Sequence, residues 1–162
     1  MNRKLVFTVG NPIMGDDAAG PLLAYMLKTD PVAGWDVIDG GSVPENSLYL
    51  IREMKADQVL LVDAADMDLA PGEIRLIGPD RIDDPFLMST HTLPLSYLVQ
   101  AIREFVPDVQ LLGIQPGVVG FGYPVSREVK RAVEQIHRCL KHDAPDWRPL
   151  EPSMINMDWK ST

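Results

Sequence analysis

Three side chains with the chemistry of metal ligands, Asp17, Asp63 and His91, sit just beyond segments that read as strand ends. Asp17 closes Val9-Gly10-Asn11-Pro12-Ile13-Met14-Gly15-Asp16-Asp17, which follows the apolar run from Leu5 to Val9, and Asp63 ends Val59-Leu60-Leu61-Val62. In an open α/β sheet, loops at the carboxyl ends of the strands converge on one crevice, and ligands bind there. Two carboxylates and an imidazole gathered at such a crevice would form an O/O/N set suited to a borderline divalent cation.

Each member of that set has a plainer reading. Aspartate is a favoured helix N-cap, and a second acidic residue in the first turn gains from the helix dipole, so Asp16 and Asp17 are also expected as caps. Asp63 could simply mark the turn after its strand, and His91, in Ser89-Thr90-His91-Thr92-Leu93-Pro94, could be a hydrogen-bonding loop residue. Asp39-Gly40-Gly41 is a turn signal, and its two glycines would also let a peptide approach the main chain closely. Gly113-Ile114-Gln115-Pro116-Gly117 has the same character and is read as structural. Asp66 and Asp68 match no calcium-loop spacing and are expected in solvent, as are His137 and His142.

Other chemistries lack their residues. The strand-to-helix loop at Gly10 carries neither the dinucleotide G-x-G-x-x-G nor the Walker Gly-Lys-Ser/Thr, and two aspartates there would repel phosphate. There is no G-x-S-x-G elbow. The single cysteine, Cys139, allows no internal disulfide and no multi-cysteine zinc site, and its helical context makes it a small core residue. A net charge of −8 argues against a phosphate-neutralising nucleic-acid surface. With no basic leader ahead of an apolar run and no stretch long enough to span a bilayer, a cytoplasmic location is expected.

The elements that must position these residues follow from periodicity. Segment 4–10 is apolar on both faces, as in a buried parallel strand. Ala19, Leu22, Leu23, Met26 and Leu27 fall on one helical face, with Asp16 expected as N-cap and Pro31 as the stop. Strands are expected at 35–38, 58–62 and 109–114. Helices are expected from Pro44 to about Met54, behind Pro94 through Ile102, and after the cap Ser126 along Val129, Val133, Ile136 and Leu140. Glu73 to Ile77 alternates polar and apolar residues behind a Pro71-Gly72 turn. The nine-residue link 64–72 is short for a parallel crossover, so this strand is predicted to run antiparallel, at an edge. The sum is a three-layer α/β/α sandwich with a mostly parallel sheet of about five strands and one antiparallel edge strand. A single domain spans residues 1–142, and residues 143–162 form a C-terminal tail, partly ordered or flexible.

These motifs together resemble the maturation endopeptidases of nickel–iron hydrogenases, closest to the type serving the formate-hydrogenlyase hydrogenase. The carriers are Gly10-Asn11 through Gly15-Asp16-Asp17 and Gly20, then Asp39-Gly40-Gly41-Ser42-x-Pro44-Glu45-Asn46 and Val62-Asp63-Ala64. Thr90-His91 and Gly113-Ile114-Gln115-Pro116 complete the set, over about residues 4–142. Ala18 departs from the glycine often found after the acidic pair. The resemblance implies an endopeptidase that removes a C-terminal extension from the precursor large subunit after nickel insertion. It places the family's metal-binding positions on Asp17, Asp63 and His91, and a segment lining the substrate cleft on Asp39, Gly40 and Gly41. No permanent cofactor is expected. The nickel is carried by the substrate, though a divalent metal could occupy the site in a crystal. For the chemistry, Asp17 or Asp63 could orient water, the metal could polarise the scissile carbonyl, or the two aspartates could act as a metal-free dyad sharing a proton. A non-catalytic chaperone binding the large-subunit tail and a constitutive metal-dependent peptidase are the alternatives. The expected partner is the precursor large subunit, met as a monomer, with no nucleic acid and no membrane.

Overall fold

The computed structural model describes residues 2–82, 88–89, 94–142 and 146–151. Strand β1 (Lys4–Thr8) is built from a run with no polar side chain between Lys4 and Thr8 and lies at the centre of the fold. It pairs in parallel with β2 (Trp35–Asp39) on one side and β3 (Gln58–Asp66) on the other. On its far side β3 pairs in parallel with β6 (Asp108–Ile114). β4 (Ile74–Ile77) closes the sheet as an antiparallel edge beside β6, giving the order β2-β1-β3-β6-β4. The short link after β3 therefore produced the expected antiparallel edge. Its neighbour is β6 because β1 and β6 already flank β3.

Alternation along the strands splits the core in two. Leu5, Phe7, Val59, Leu61 and Ala65 pack with Ile51 of helix α2 (Leu48–Met54) and with Leu95, Leu98, Val99 and Ile102 of α3 (Leu95–Arg103). Val6, Leu60 and Val62 pack on the other face against α1 (Ala19–Thr29) and α4 (Arg127–Lys141). This is the three-layer sandwich expected from the sequence. Each fully buried leucine here is worth a few kcal/mol, so a Leu→Ala change at Leu61 would cost about 2–5 kcal/mol.

Several local expectations need correction. β3 does not stop before Asp63. Its register with β6 runs on through Asp63↔Gly113 and Ala64↔Ile114. A short strand not foreseen, β5 (Met88–Ser89), then pairs antiparallel with Ala65 and Asp66. Asp16 does not cap α1, because it sits inside a 3-10 turn, Gly15–Ala18, that leads into the helix without a side-chain cap. A similar turn, Pro44–Ser47, precedes α2. His137 is buried rather than exposed, its Nε2 lying 2.8 Å from the Asp30 carbonyl oxygen. Cys139 is half-buried rather than core.

Ser126 caps α4 as expected, its Oγ accepting from the Val129 N–H at 3.4 Å. Beyond α4, the Leu76 N–H donates to the Arg148 carbonyl and the Leu150 N–H to the Leu76 carbonyl, each at 2.8 Å. Residues 148–150 thereby cover the outer edge of β4, which would otherwise be a template for strand pairing. No helix among the described residues is long and apolar enough to cross a membrane.

Candidate active site

The loop from Val9 to Asp17 turns the chain from β1 into α1 under tight steric limits. The Val9 N–H still bonds the Val62 carbonyl at 3.0 Å, which carries the parallel pairing one step past β1 to the residue before Asp63. Gly10 then adopts φ +153°, and a Cβ there would lie 2.1 Å from the Asp17 carbonyl oxygen. Only glycine lets the turn fold back this closely. The Asn11 N–H donates to Asp17 Oδ2 at 2.9 Å, and Asn11 Oδ1 accepts from the Ile13 N–H at 3.1 Å. Asp17 is thus fixed above the end of β1.

Asp63 stands on the adjacent strand, between the Val9 extension of β1 and Gly113 of β6. It shares the alternation of Val59, Leu61 and Ala65, so it belongs to the face covered by α2 and α3. Helix α3 starts at Leu95 on that face, but His91 itself lies outside the described residues, as does Thr90. Asp17 and Asp63 therefore lie on adjacent elements near the carboxyl end of β1, while the third predicted ligand is not placed. Among the described residues no group of three His, Cys, Asp or Glu is arranged to hold a metal ion.

At the expected crevice the two carboxylates are closed off from solvent. Asp17 is 3% exposed and Asp63 is 0% exposed. A cavity of about 210 Å³ lies away from them, under β4 and α3, and is lined by Ile77, Ile82, Val99 and Arg103. Apolar lining and distance from the strand ends make it packing space rather than the site.

Asp39-Gly40-Gly41 is stitched to the same loop from the other side. The Gly40 N–H donates to the Thr8 carbonyl at 2.7 Å, and the Gly10 N–H to the Gly41 carbonyl at 2.9 Å. Asp39 Oδ1 accepts from the Gly41 N–H at 2.9 Å, closing an Asx turn. A Cβ on Gly40 would press into the Phe7 ring at 2.6 Å, whereas at Gly41, with φ +60°, it would meet nothing within 4 Å. Gly40 is a packing glycine, and Gly41 borders open space. All three sequence segments, 10–17, 39–41 and 63, thus share one end of the sheet.

Two further residues shape this end, Asp16, read from the sequence as a cap, and Gln115, read as part of a structural turn. Asp16 is fully buried, and its carboxylate accepts from the Ser126 N–H (2.6 Å), the Gly117 N–H (2.7 Å), Ser126 Oγ (2.9 Å) and the Val118 N–H (3.3 Å). Gln115 is buried, its Oε1 accepting from the Met67 N–H at 2.6 Å and its Nε2 donating to Asp66 Oδ1 at 3.1 Å. Asp66 is exposed as expected, yet it serves this bond. The adjacent acidic pair offered one hint, since capping accounts for one of them more readily than for two.

A family model described as "HycI: Hydrogenase maturation protease" matches residues 22–141. The chain belongs to the hydrogenase maturation protease family. It is 50% identical over 137 residues to the hydrogenase 3 maturation protease of Escherichia coli strain K12, covering 85% of this chain and 88% of the relative. The solution structure of the endopeptidase HycI from Escherichia coli superposes with a TM-score of 0.86 at 46% identity, covering 93% of this chain and 97% of the other. The crystal structure of a [NiFe] hydrogenase maturation protease HycI from Thermococcus kodakarensis KOD1 gives 0.77 at 29% identity, over 87% and 91%. The protein is accordingly a maturation protease, a hydrolase of peptide bonds.

Proposed function

We propose that this protease removes a C-terminal extension from the precursor large subunit of a nickel–iron hydrogenase after nickel insertion. Asp17, Asp63 and His91 engage nickel already held by that precursor. One observation carries the reading: in a chain of this family, Asp17 and Asp63 lie on adjacent elements near the carboxyl end of β1. Carboxylates are hard ligands and imidazole a borderline one, so the three fit a divalent first-row ion that brings part of its own coordination shell. The nickel is then cargo of the substrate, and the protein keeps no resident cofactor. Recognition of a bound ion makes cleavage conditional on the metal as well as on the sequence cut.

At the scissile bond, Asp17 or Asp63 orients a water, accepts its proton as it attacks the carbonyl carbon, and passes that proton to the leaving amine as the C–N bond breaks. Gly41 borders open space beside them and supplies main chain that an extended peptide can approach. The work takes place in the cytoplasm, with the protease acting as a monomer. A constitutive metallopeptidase would instead hold its metal tightly as purified and cut free peptides. The presence of both acids disfavours a chaperone that only holds the tail.

The test is incubation of the purified protein with nickel-loaded and nickel-free precursor. Shortening of the loaded form alone is expected, and equal cleavage of the two forms rejects recognition of the metal.

A further inference from the structure

Next to the aspartates the chain exposes a run of apolar side chains that nothing in the reaction uses. The stretch 116–125, Pro-Gly-Val-Val-Gly-Phe-Gly-Tyr-Pro-Val, contains no charged residue, in a chain of net charge −8. Val118, Val119, Phe121 and Tyr123 are exposed, Phe121 to 77%, and Ile13 on the facing loop is exposed beside them. Isolated exposed apolar residues are ordinary, but a contiguous group of this size marks a contact surface.

The group is held in place and not left loose. The Gly122 N–H donates to the Ile13 carbonyl at 2.9 Å, and the Asp16 N–H to the Val118 carbonyl at 2.8 Å. A Cβ on Gly15 would lie 2.5 Å from that same Val118 oxygen, so the two loops touch backbone to backbone. From below, the buried Asp16 carboxylate grips Gly117, Val118 and Ser126. The residue after this grip is Asp17. One rigid piece of chain therefore carries both the apolar group and a proposed metal-facing carboxylate.

We infer that Ile13, Val118, Val119, Phe121 and Tyr123 form the docking surface for an uncharged, apolar strip of the precursor large subunit that lies beside its scissile tail. This rests on the proposed function and names the contact by which that substrate is held. The surface adjoins the loop that carries Asp17, joined to it through the Ile13 carbonyl and the Asp16 N–H. Its lack of charge in an acidic protein suits a neutral apolar partner face, since a basic one would gain more from the remaining surface. Its rigidity lowers the ordering cost of binding. Aromatic anchors such as Phe121 and Tyr123 carry most of the energy of contacts of this kind.

The experiment compares wild type with Phe121→Ser, Val119→Ser and the control Tyr25→Ser, an exposed tyrosine on α1. Two quantities are read: KM and kcat on nickel-loaded precursor, and equilibrium binding to immobilised precursor. A KM and Kd raised by about 10-fold or more for Phe121→Ser, with kcat unchanged and Tyr25→Ser like wild type, supports the surface. Unchanged KM and Kd in both loop variants overturns it. So does a loss of self-association, seen by sedimentation, with precursor binding intact, because the occupant would then be a second copy. If wild type cuts no precursor, the proposed function fails on its own. The binding arm still decides the surface.

Discussion

At the amino ends of the strands, Asp30 and Asp57 are exposed: Asp30 meets Lys141, and Asp57 accepts the Arg3 N–H. At the carboxyl ends, Asp16, Asp17 and Asp63 are buried, and Asp16 is surrounded by four donors from a loop more than a hundred residues away. Exposed ion pairs are screened by solvent and salt and add little. Buried carboxylates must have their donors supplied by the fold, and each is expensive to disturb. The acids at one end could be exchanged with little consequence. Those at the other exist at a cost in stability that only function or fixed architecture repays.

The sharpest break of that contrast is at the site itself. Asp17→Asn and Asp63→Asn keep size and shape while removing the charge. Processing of nickel-loaded precursor is expected to fall by roughly 100-fold or more, with the circular dichroism spectrum retained. A cleavage rate equal to wild type in either variant would remove that residue from the site.

Asp16 should separate architecture from chemistry. Asp16→Ala leaves the Gly117, Val118 and Ser126 N–H groups without their carboxylate, and a loss of about 2–5 kcal/mol is expected. For a chain of this length that lowers Tm by on the order of 10 °C. Scanning calorimetry measures it. A shift of only a degree or two would mean that the loop is held by other means. Ser126→Ala removes one donor and a cap together, so its expected loss is smaller, about 1–2 kcal/mol.

The glycine pair gives a finer split. Gly40→Ala drives a methyl into Phe7 and Thr8, so both stability and processing should drop. Gly41→Ala meets no atom and pays only for its left-handed backbone, about 1 kcal/mol. If Gly41→Ala nonetheless lowers processing several-fold, measured at a temperature where it is folded, the main chain there touches substrate. Wild-type kinetics would make the pair a turn and nothing more.

How much of this was legible follows from the range over which each interaction acts. Ser126 and the stripe Val129, Val133, Ile136, Leu140 lie within one helix, so their pattern was complete in a local window. The antiparallel edge was readable because chain length alone limits what nine residues can span. Asp17, Asp63 and Asp39-Gly40-Gly41 were placed correctly at one end, since parallel strands point their carboxyl ends the same way. Their burial was not legible, because it depends on the neighbouring strands and loops that pack around them. Asp16 was taken for a cap for the same reason: its partners are 101 to 110 residues distant. His137 was misread because its partner, the Asp30 carbonyl, is 107 residues away on another element.

The smallest expected effect lies at the opposite end. The Lys141 ammonium bonds the Asp30 carboxylate and, with its own charge and that of His137, holds its pKa below the ordinary 3.8, partly opposed by desolvation. A carboxyl whose pKa is lower folded than unfolded binds protons more readily when unfolded, so it stabilises the fold above its unfolded pKa. That contribution fades as pH falls through 3.8 and the lower folded value, and is absent once both forms are protonated. Asp30→Asn should therefore be slightly less stable than wild type in urea at about pH 7 and indistinguishable from it in strong acid. Because Asp30 is exposed, added salt should shrink the neutral-pH difference further. A difference that persisted in acid would assign the effect to backbone contacts around His137 instead of to the charge. The amino end would then depend on buried geometry in the way the carboxyl end does.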